Sequence, residues 1–169
     1  MHDILTQLMP NVMSKPGEFG KSIWQTFYML GYSGSISFAI GIIIGVILVV
    51  TRKDGIFSNV VVWTIFDKVI NFFRSVPFII LMALLIPVSR FFMDTAIGMQ
   101  GAIVPLIFGT VPFFSRQIEA ALLELDKGLV ETAHAIGTSP LGIVFRVYLK
   151  ESIPAIVRGT TITFVSLVG

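Results

Sequence analysis

Residues 22–51 carry no charged side chain, and this one run limits what the chain can become. Thirty residues of helix rise about 45 Å, while about 20 apolar residues suffice to cross the hydrocarbon core of a bilayer. The run is therefore long enough to span with tilt. Trp24, Phe27 and Tyr28 stand near its start, where amphipathic rings favour the membrane interface. Gly41 and Gly45 form a GxxxG pair inside it, the spacing that lets a second helix approach closely. Arg52-Lys53-Asp54-Gly55 then ends the span with a turn. Composition agrees: the 169 residues are 54% hydrophobic and 13% charged, against roughly 25% charged in a soluble domain. One soluble core cannot hide that much apolar surface, so the expectation is an integral membrane protein.

Several functions are excluded by what the chain lacks. It has no cysteine, which removes disulfides, thiolate metal sites and cysteine nucleophiles. Two histidines without an HExxH pattern offer no metal centre, and no GxxxxGK[ST] loop is present to cradle ATP phosphates. The sequence therefore points to no catalytic residue, no metal and no cofactor, and a process driven by ATP would need a partner to hydrolyse it. The net charge of +2 arises from Lys and Arg that punctuate apolar runs rather than cluster. That is the distribution of topology determinants and not of a nucleic-acid surface. Residues 1–21 are too polar and too broken, at Pro10 and Pro16, to be a signal-peptide core. Only 4–9 hints at an amphipathic turn, so a loose or surface-lying arm is expected.

Three further spans are expected, at about 60–90, 95–118 and 152–169. In the first, the uncharged part covers only 75–89, about 22 Å of helix, so the span must borrow from the residues before it. There Thr64, Asp67, Lys68, Asn71 and Arg74 recur at helical spacing and make one polar stripe, assigned here to the cytoplasmic mouth of a bundle. Pro77 is expected to kink the helix near Phe73. The second holds Pro105 and Pro112 in a run of 21 uncharged residues, which membrane helices tolerate. In the last, the uncharged run 159–169 is too short to cross, so the span must take in 152–158; it ends at Gly169 without a polar flank, and the expectation is a fragment whose C-terminal part lies beyond it. The fold class is an all-α polytopic transmembrane helix bundle, one domain over 1–169. Of the twelve Lys and Arg, Lys15, Lys21 and Arg90 fall on one side and nine on the other. The positive-inside rule then puts the N-terminus outside and the loop 119–154 in the cytoplasm.

That loop is the polar exception in an apolar chain. Asp126 suits an N-cap position, and Leu129, Ala133 and Ile136 share a face at i, i+4, i+7. Gly137 fits the left-handed position that stops a helix. Ser139-Pro140 restarts one, with Ser139 as cap and Pro140 in the first position, running to about Glu151. A helix of two to three turns is marginal alone and needs a cover. Periodicity leaves two covers open: the chain's own bundle, or a groove in a partner subunit.

Glu131-Thr132-Ala133, Gly137 and Val147-Tyr148-Leu149 resemble the EAA motif of ABC importer permeases, written EAA-x3-G-x9-I-x-L-P. Thr132 stands for the first Ala, Val147 for Ile, and Lys150 where the motif has Pro. Within that superfamily Arg74-Ser75-Val76-Pro77-Phe78-Ile79-Ile80, Gly101-Ala102-Ile103-Val104-Pro105-Leu106 and Ala121-Leu122-Leu123-Glu124 are most similar to the methionine-uptake permeases. The resemblance implies a bundle of the type I importer kind and a homodimer. It also implies cytoplasmic ATP-binding subunits and an extracellular substrate-binding (lipo)protein. The ATPase-coupling interface would comprise Leu129, Val130, Glu131, Thr132, Ala133, His134, Ala135, Ile136 and Gly137. In it Glu131 would make polar contacts, Ala133 would permit close docking and Gly137 would turn the chain. The family has five membrane helices per subunit, and much of its path and gate lies in the later ones. No substrate-binding residue is assigned from the sequence.

The reading is thus a permease subunit of an ATP-driven amino-acid importer, methionine by family likeness, working by alternating access. The alternative is an ion-coupled secondary transporter or channel subunit. Such proteins place ionisable groups at mid-membrane, and only Asp67 and Lys68 come near a span.

Overall fold

A computed structural model describes residues 15–168; of the loose arm expected at 1–21, residues 1–14 lie outside the described residues, as does Gly169, while 16–21 belong to the first helix rather than to an arm. Every regular element among them is helical. Helix α1, Pro16–Thr51, has 36 residues, a proline in its first turn and no interruption. Its C-terminal carbonyls are satisfied by the chain that follows: Phe57 N–H donates to Val50 O and Asn59 N–H to Thr51 O, each at 2.9 Å. This answers the orphan-carbonyl problem of a helix end. Asn59 then caps α2, Val60–Ser75, its side chain accepting from Val62 N–H at 3.2 Å.

The span expected at 60–90 is not one kinked helix. It is divided into α2, α3 (Phe78–Leu84) and α4 (Ile86–Met93). Val76 is extended (φ −84°, ψ 123°), the conformation that a following proline imposes on its neighbour. Pro77 therefore breaks the helix three residues later than the kink expected at Phe73. A second interruption falls at Leu85, directly before the turn that holds Pro87. Asp94, in the left-handed region at φ 58°, ends α4.

Helix α5, Gly98–Leu123, runs 26 residues through Pro105 and Pro112 without a break. It is the centre of the molecule, touching α1 most extensively and also α2, α3, α4 and α9 (Ile153–Val168). Its Phe114, Ile118, Ala121 and Leu122 form the core with Val49 of α1 and Ile156 of α9. Gly41 and Gly45 lie at the tightest point of the α1–α5 crossing. A Cβ on Gly41 would stand 2.5 Å from Phe114 Cδ1, and one on Gly45 2.5 Å from Ile118 Cγ2 and 3.0 Å from the Ser115 carbonyl. On α9, Gly159 lets the helix close on Gln117 of α5 in the same way, at 3.1 Å.

Among the described residues two helices are long and apolar enough to cross a membrane, the 35 residues Gly17–Thr51 and the 26 residues Gly98–Leu123. Several of their hydroxyl groups bond the backbone: Ser115 Oγ donates to Val111 O at 2.7 Å, and Thr51 Oγ1 to Ile47 O at 2.6 Å, whereas the buried Ser37 Oγ has no partner. Such back-bonding hides a polar group where no water is present to solvate it.

Candidate functional site

The polar segment after α5 folds into an elbow. Glu124 closes α5, and Asp126 caps α6, Lys127–Ala135, its carboxylate accepting from Gly128 N–H at 2.8 Å. At the other end Gly137 takes φ +79°. Gly137 N–H donates to His134 O and Thr138 N–H to Ala133 O, both at 3.0 Å. These are the two bonds of a Schellman closure, and the positive φ is where glycine avoids the Cβ penalty. Ser139 caps the next helix, accepting from Gly142 N–H at 3.2 Å, with Pro140 in its first position. That helix is α7, Pro140–Ile143, which passes into a π-helical segment, Val144–Tyr148, and ends as α8, Leu149–Glu151. The one-residue expansion was invisible in the sequence; it re-aims the side chains that follow it.

Lys150 sits inside this last turn, and the chain bends one step later, at Ser152 (φ −86°, ψ 4°). Pro154 follows at the second position of α9. The bend therefore forms without the motif's proline at position 150.

Helix α6 rests on α7 and the π segment. Ala133 is 7% exposed against them, while Leu129 is 46% and Ile136 77% exposed. Of the face expected at Leu129, Ala133 and Ile136, the chain itself covers only Ala133. Leu129, four residues before Ala133 in the helix, keeps its place on that face. Ile136 is the C-cap residue (φ −85°, ψ 6°), where helical spacing no longer sets the direction. Glu131, Thr132, His134 and Ala135 are exposed and Val130 is half-buried.

Between α6 and the turn after α1 lies a cleft of about 450 Å³, lined by Asp54, Ile56, Val130, Glu131, His134 and Tyr148. Burial pushes the Tyr148 phenol pKa upward from its ordinary value. The elbow thus presents a bare outer surface, with Leu129 and Ile136 on it, and a polar cleft behind.

A charge cluster that periodicity only half disclosed ties α2 to α5. Arg116 pairs with Asp67, donates to Asn71 Oδ1 at 3.1 Å and to Glu119 Oε2 at 2.6 Å. The three ionised side chains are only 11–23% exposed. Asp67 and Asn71 were recognisable as part of a polar stripe; their partner 49 residues away was not. At the foot of the bundle Arg158 of α9 donates to Glu124 at 2.6 Å, joining α9 to the end of α5.

The family described as "Binding-protein-dependent transport system inner membrane component" matches residues 37–169. The "Probable D-methionine transport system permease protein MetI" of Vibrio cholerae serotype O1 is 47% identical over 145 residues, 86% of this chain and 64% of that protein. The "D-methionine transport system permease protein MetI" of Escherichia coli K12 is 44% identical over 149 residues, 88% of this chain and 69% of that one. The chain therefore spans about two thirds of the length of these relatives. Among solved structures, an inward-facing form of the MetNI methionine ABC transporter is 44% identical with a TM-score of 0.85, over 88% of this chain and 69% of that one. An amino acid ABC transporter crystallised with histidines shares the fold at 16% identity, with a TM-score of 0.60 over 89% of this chain and 71% of that one.

Proposed function

This chain belongs to the family of binding-protein-dependent transport system inner membrane components, and from that premise we propose that it is the membrane-spanning permease subunit of an ATP-driven methionine importer. It works as a homodimer. Two cytoplasmic ATP-binding subunits hydrolyse the ATP, and an extracellular binding protein delivers the substrate. The N-terminus is outside and the elbow of α6 to α8 is in the cytoplasm. Residues 129–137 form the surface that seats in the ATPase: Leu129 and Ile136 fill apolar pockets, Glu131 makes polar contacts, and Gly137 fixes the turn. The substrate assignment is supported by the names of the two relatives reported above, both D-methionine transport system permease proteins, one of them named as probable.

One observation carries the docking role. Helix α6 is two turns long, closed at both ends, with Ala133 covered by its own chain and the apolar Leu129 and Ile136 left exposed. The two covers that periodicity left open therefore divide the helix between them. A rigid helix with a bare apolar edge is the helix-in-groove form of recognition. When ATP binding draws the partner subunits together, α6 moves with them. The push passes through α7 and α8 to the bend at Ser152 and into α9, and the Arg158–Glu124 pair carries it to α5. The bundle then changes between two packings, whose balance the partner contacts bias.

The test uses the full permease with its ATPase in vesicles. Glu131→Ala and Gly137→Val are expected to abolish ATP-driven methionine uptake or copurification of the ATPase. If both transport and copurification survive both changes, the docking role is wrong. Of the two ionisable groups named for the ion-coupled alternative, Asp67 is engaged by Arg116, which disfavours it as an ion carrier.

A further inference from the structure

Beside the break at Val76–Pro77 lies a partly open cavity of about 390 Å³, lined by the end of α2, α3, α5 and α9. That volume falls in the range of roughly 300–1,000 Å³ typical of small-molecule sites. It lies halfway along α5, at Gly109 and Thr110 of a helix running from Gly98 to Leu123. Its lining is of two kinds. Phe73, Phe78 and Phe113 make one part apolar, and Arg74 and Thr110 make the other part polar.

Arg74 is the one charged side chain in that lining. Among the described residues Arg116 and Arg158 have carboxylate partners, and no carboxylate pairs with Arg74. Arg74 is exposed, so its guanidinium is open to solvent and to an anion entering the cavity. It faces the cavity. A second polar group comes from the same break: Pro77 has no N–H, so the Phe73 carbonyl loses the donor an uninterrupted helix would give it. Interrupted membrane helices with freed carbonyls are tolerated where they line such a cavity. The Thr110 and Thr163 hydroxyls, 7% and 6% exposed, add oxygen acceptors on the facing helices.

A guanidinium fits a carboxylate, oxygen acceptors fit an ammonium, and three aromatic rings fit an apolar side chain. We infer that this cavity is a station where a free zwitterionic amino acid with an apolar side chain rests during passage, its α-carboxylate on Arg74. The inference rests on the importer reading given above and adds a site to it.

Equilibrium binding of radiolabelled L-methionine to the purified full permease–ATPase complex, with no binding protein present, tests it. Millimolar binding is expected. Arg74→Gln should weaken it by about tenfold or more, the loss of a charge-assisted contact, while Arg74→Lys retains most of it. Gly109→Leu leaves the charge and fills the space, and should also remove binding. Methioninol, which lacks the carboxylate, should not compete. Complexes should form in equal yield for every variant, which separates lost binding from failed folding. Binding unchanged in Arg74→Gln, or equal competition by methioninol, overturns the station. Uptake by the unmodified protein in vesicles without any such binding overturns it too, and leaves the importer reading standing. If neither uptake nor binding occurs, the importer reading falls and takes the station with it.

Discussion

The α1–α5 crossing offers a comparison inside a single helix. Replacing Gly45 by alanine places a Cβ 2.5 Å from Ile118 Cγ2, 2.6 Å from Ile118 Cβ and 3.0 Å from the Ser115 carbonyl. Carbon atoms rest at about 3.5–4.0 Å, so the helices must part by about 1 Å, because a backbone oxygen cannot rotate away. Overpacking of this kind costs about 1–3 kcal/mol. Gly31, fourteen positions earlier in the same helix, has nothing within 4 Å of its would-be Cβ. Both substitutions share the same gain of about 1 kcal/mol from helix propensity. The difference between Gly31→Ala and Gly45→Ala therefore isolates the packing cost, and about 1–3 kcal/mol is expected. Reversible unfolding in mixed detergent micelles, followed by circular dichroism, measures it. Equal stability of the two variants would refute the claim that the GxxxG pair sets the distance between α1 and α5.

The Asp67–Arg116 pair, with exposures of 23% and 19%, should show a coupling of about 0.5–3 kcal/mol in a double-mutant cycle with Asp67→Asn and Arg116→Gln. The Glu124–Arg158 pair, exposed by 61% and 63%, should show only about 0–1 kcal/mol in the same assay. Asp126→Ala removes the cap on Gly128 N–H and should destabilise α6 by about 1 kcal/mol. Faster amide exchange confined to 127–135, with the bundle unchanged, would be its signature.

Much of this architecture was legible in the amino-acid order because lipid leaves few options. An uncharged run such as 22–51 must be a helix, and α1 covers it entirely. The elbow was legible for a different reason. Asp126, Gly137 and Ser139-Pro140 are local signals, each acting within four residues of itself. What failed was whatever depended on distance or on where a helix stops. The stripe Asp67–Asn71 could be seen, but not that Arg116 would engage it, since nothing in either segment encodes the other's position. Proline announced a disturbance after Phe73, yet whether it would bend the helix or end it turns on the neighbours that satisfy the freed carbonyls. The π segment 144–148 depends on packing in the same way. The spacing that puts Leu129, Ala133 and Ile136 on one face does not say how much of it the chain itself covers, and that cover is confined to Ala133. At the docking surface this separates the residue that is covered from the ones that are bare.

That separation is also the most direct handle on the central claim. The chain has no cysteine, so single cysteines can be placed at 129, 133 and 136 without background. In the full permease–ATPase complex, a short thiol cross-linker is expected to join Leu129→Cys and Ile136→Cys to the ATPase in high yield. Ala133→Cys, 7% exposed against its own chain, should give almost none. Cross-linking from 133 equal to that from 136, or from neither 129 nor 136, would contradict the account of α6 as the helix that the ATPase grips.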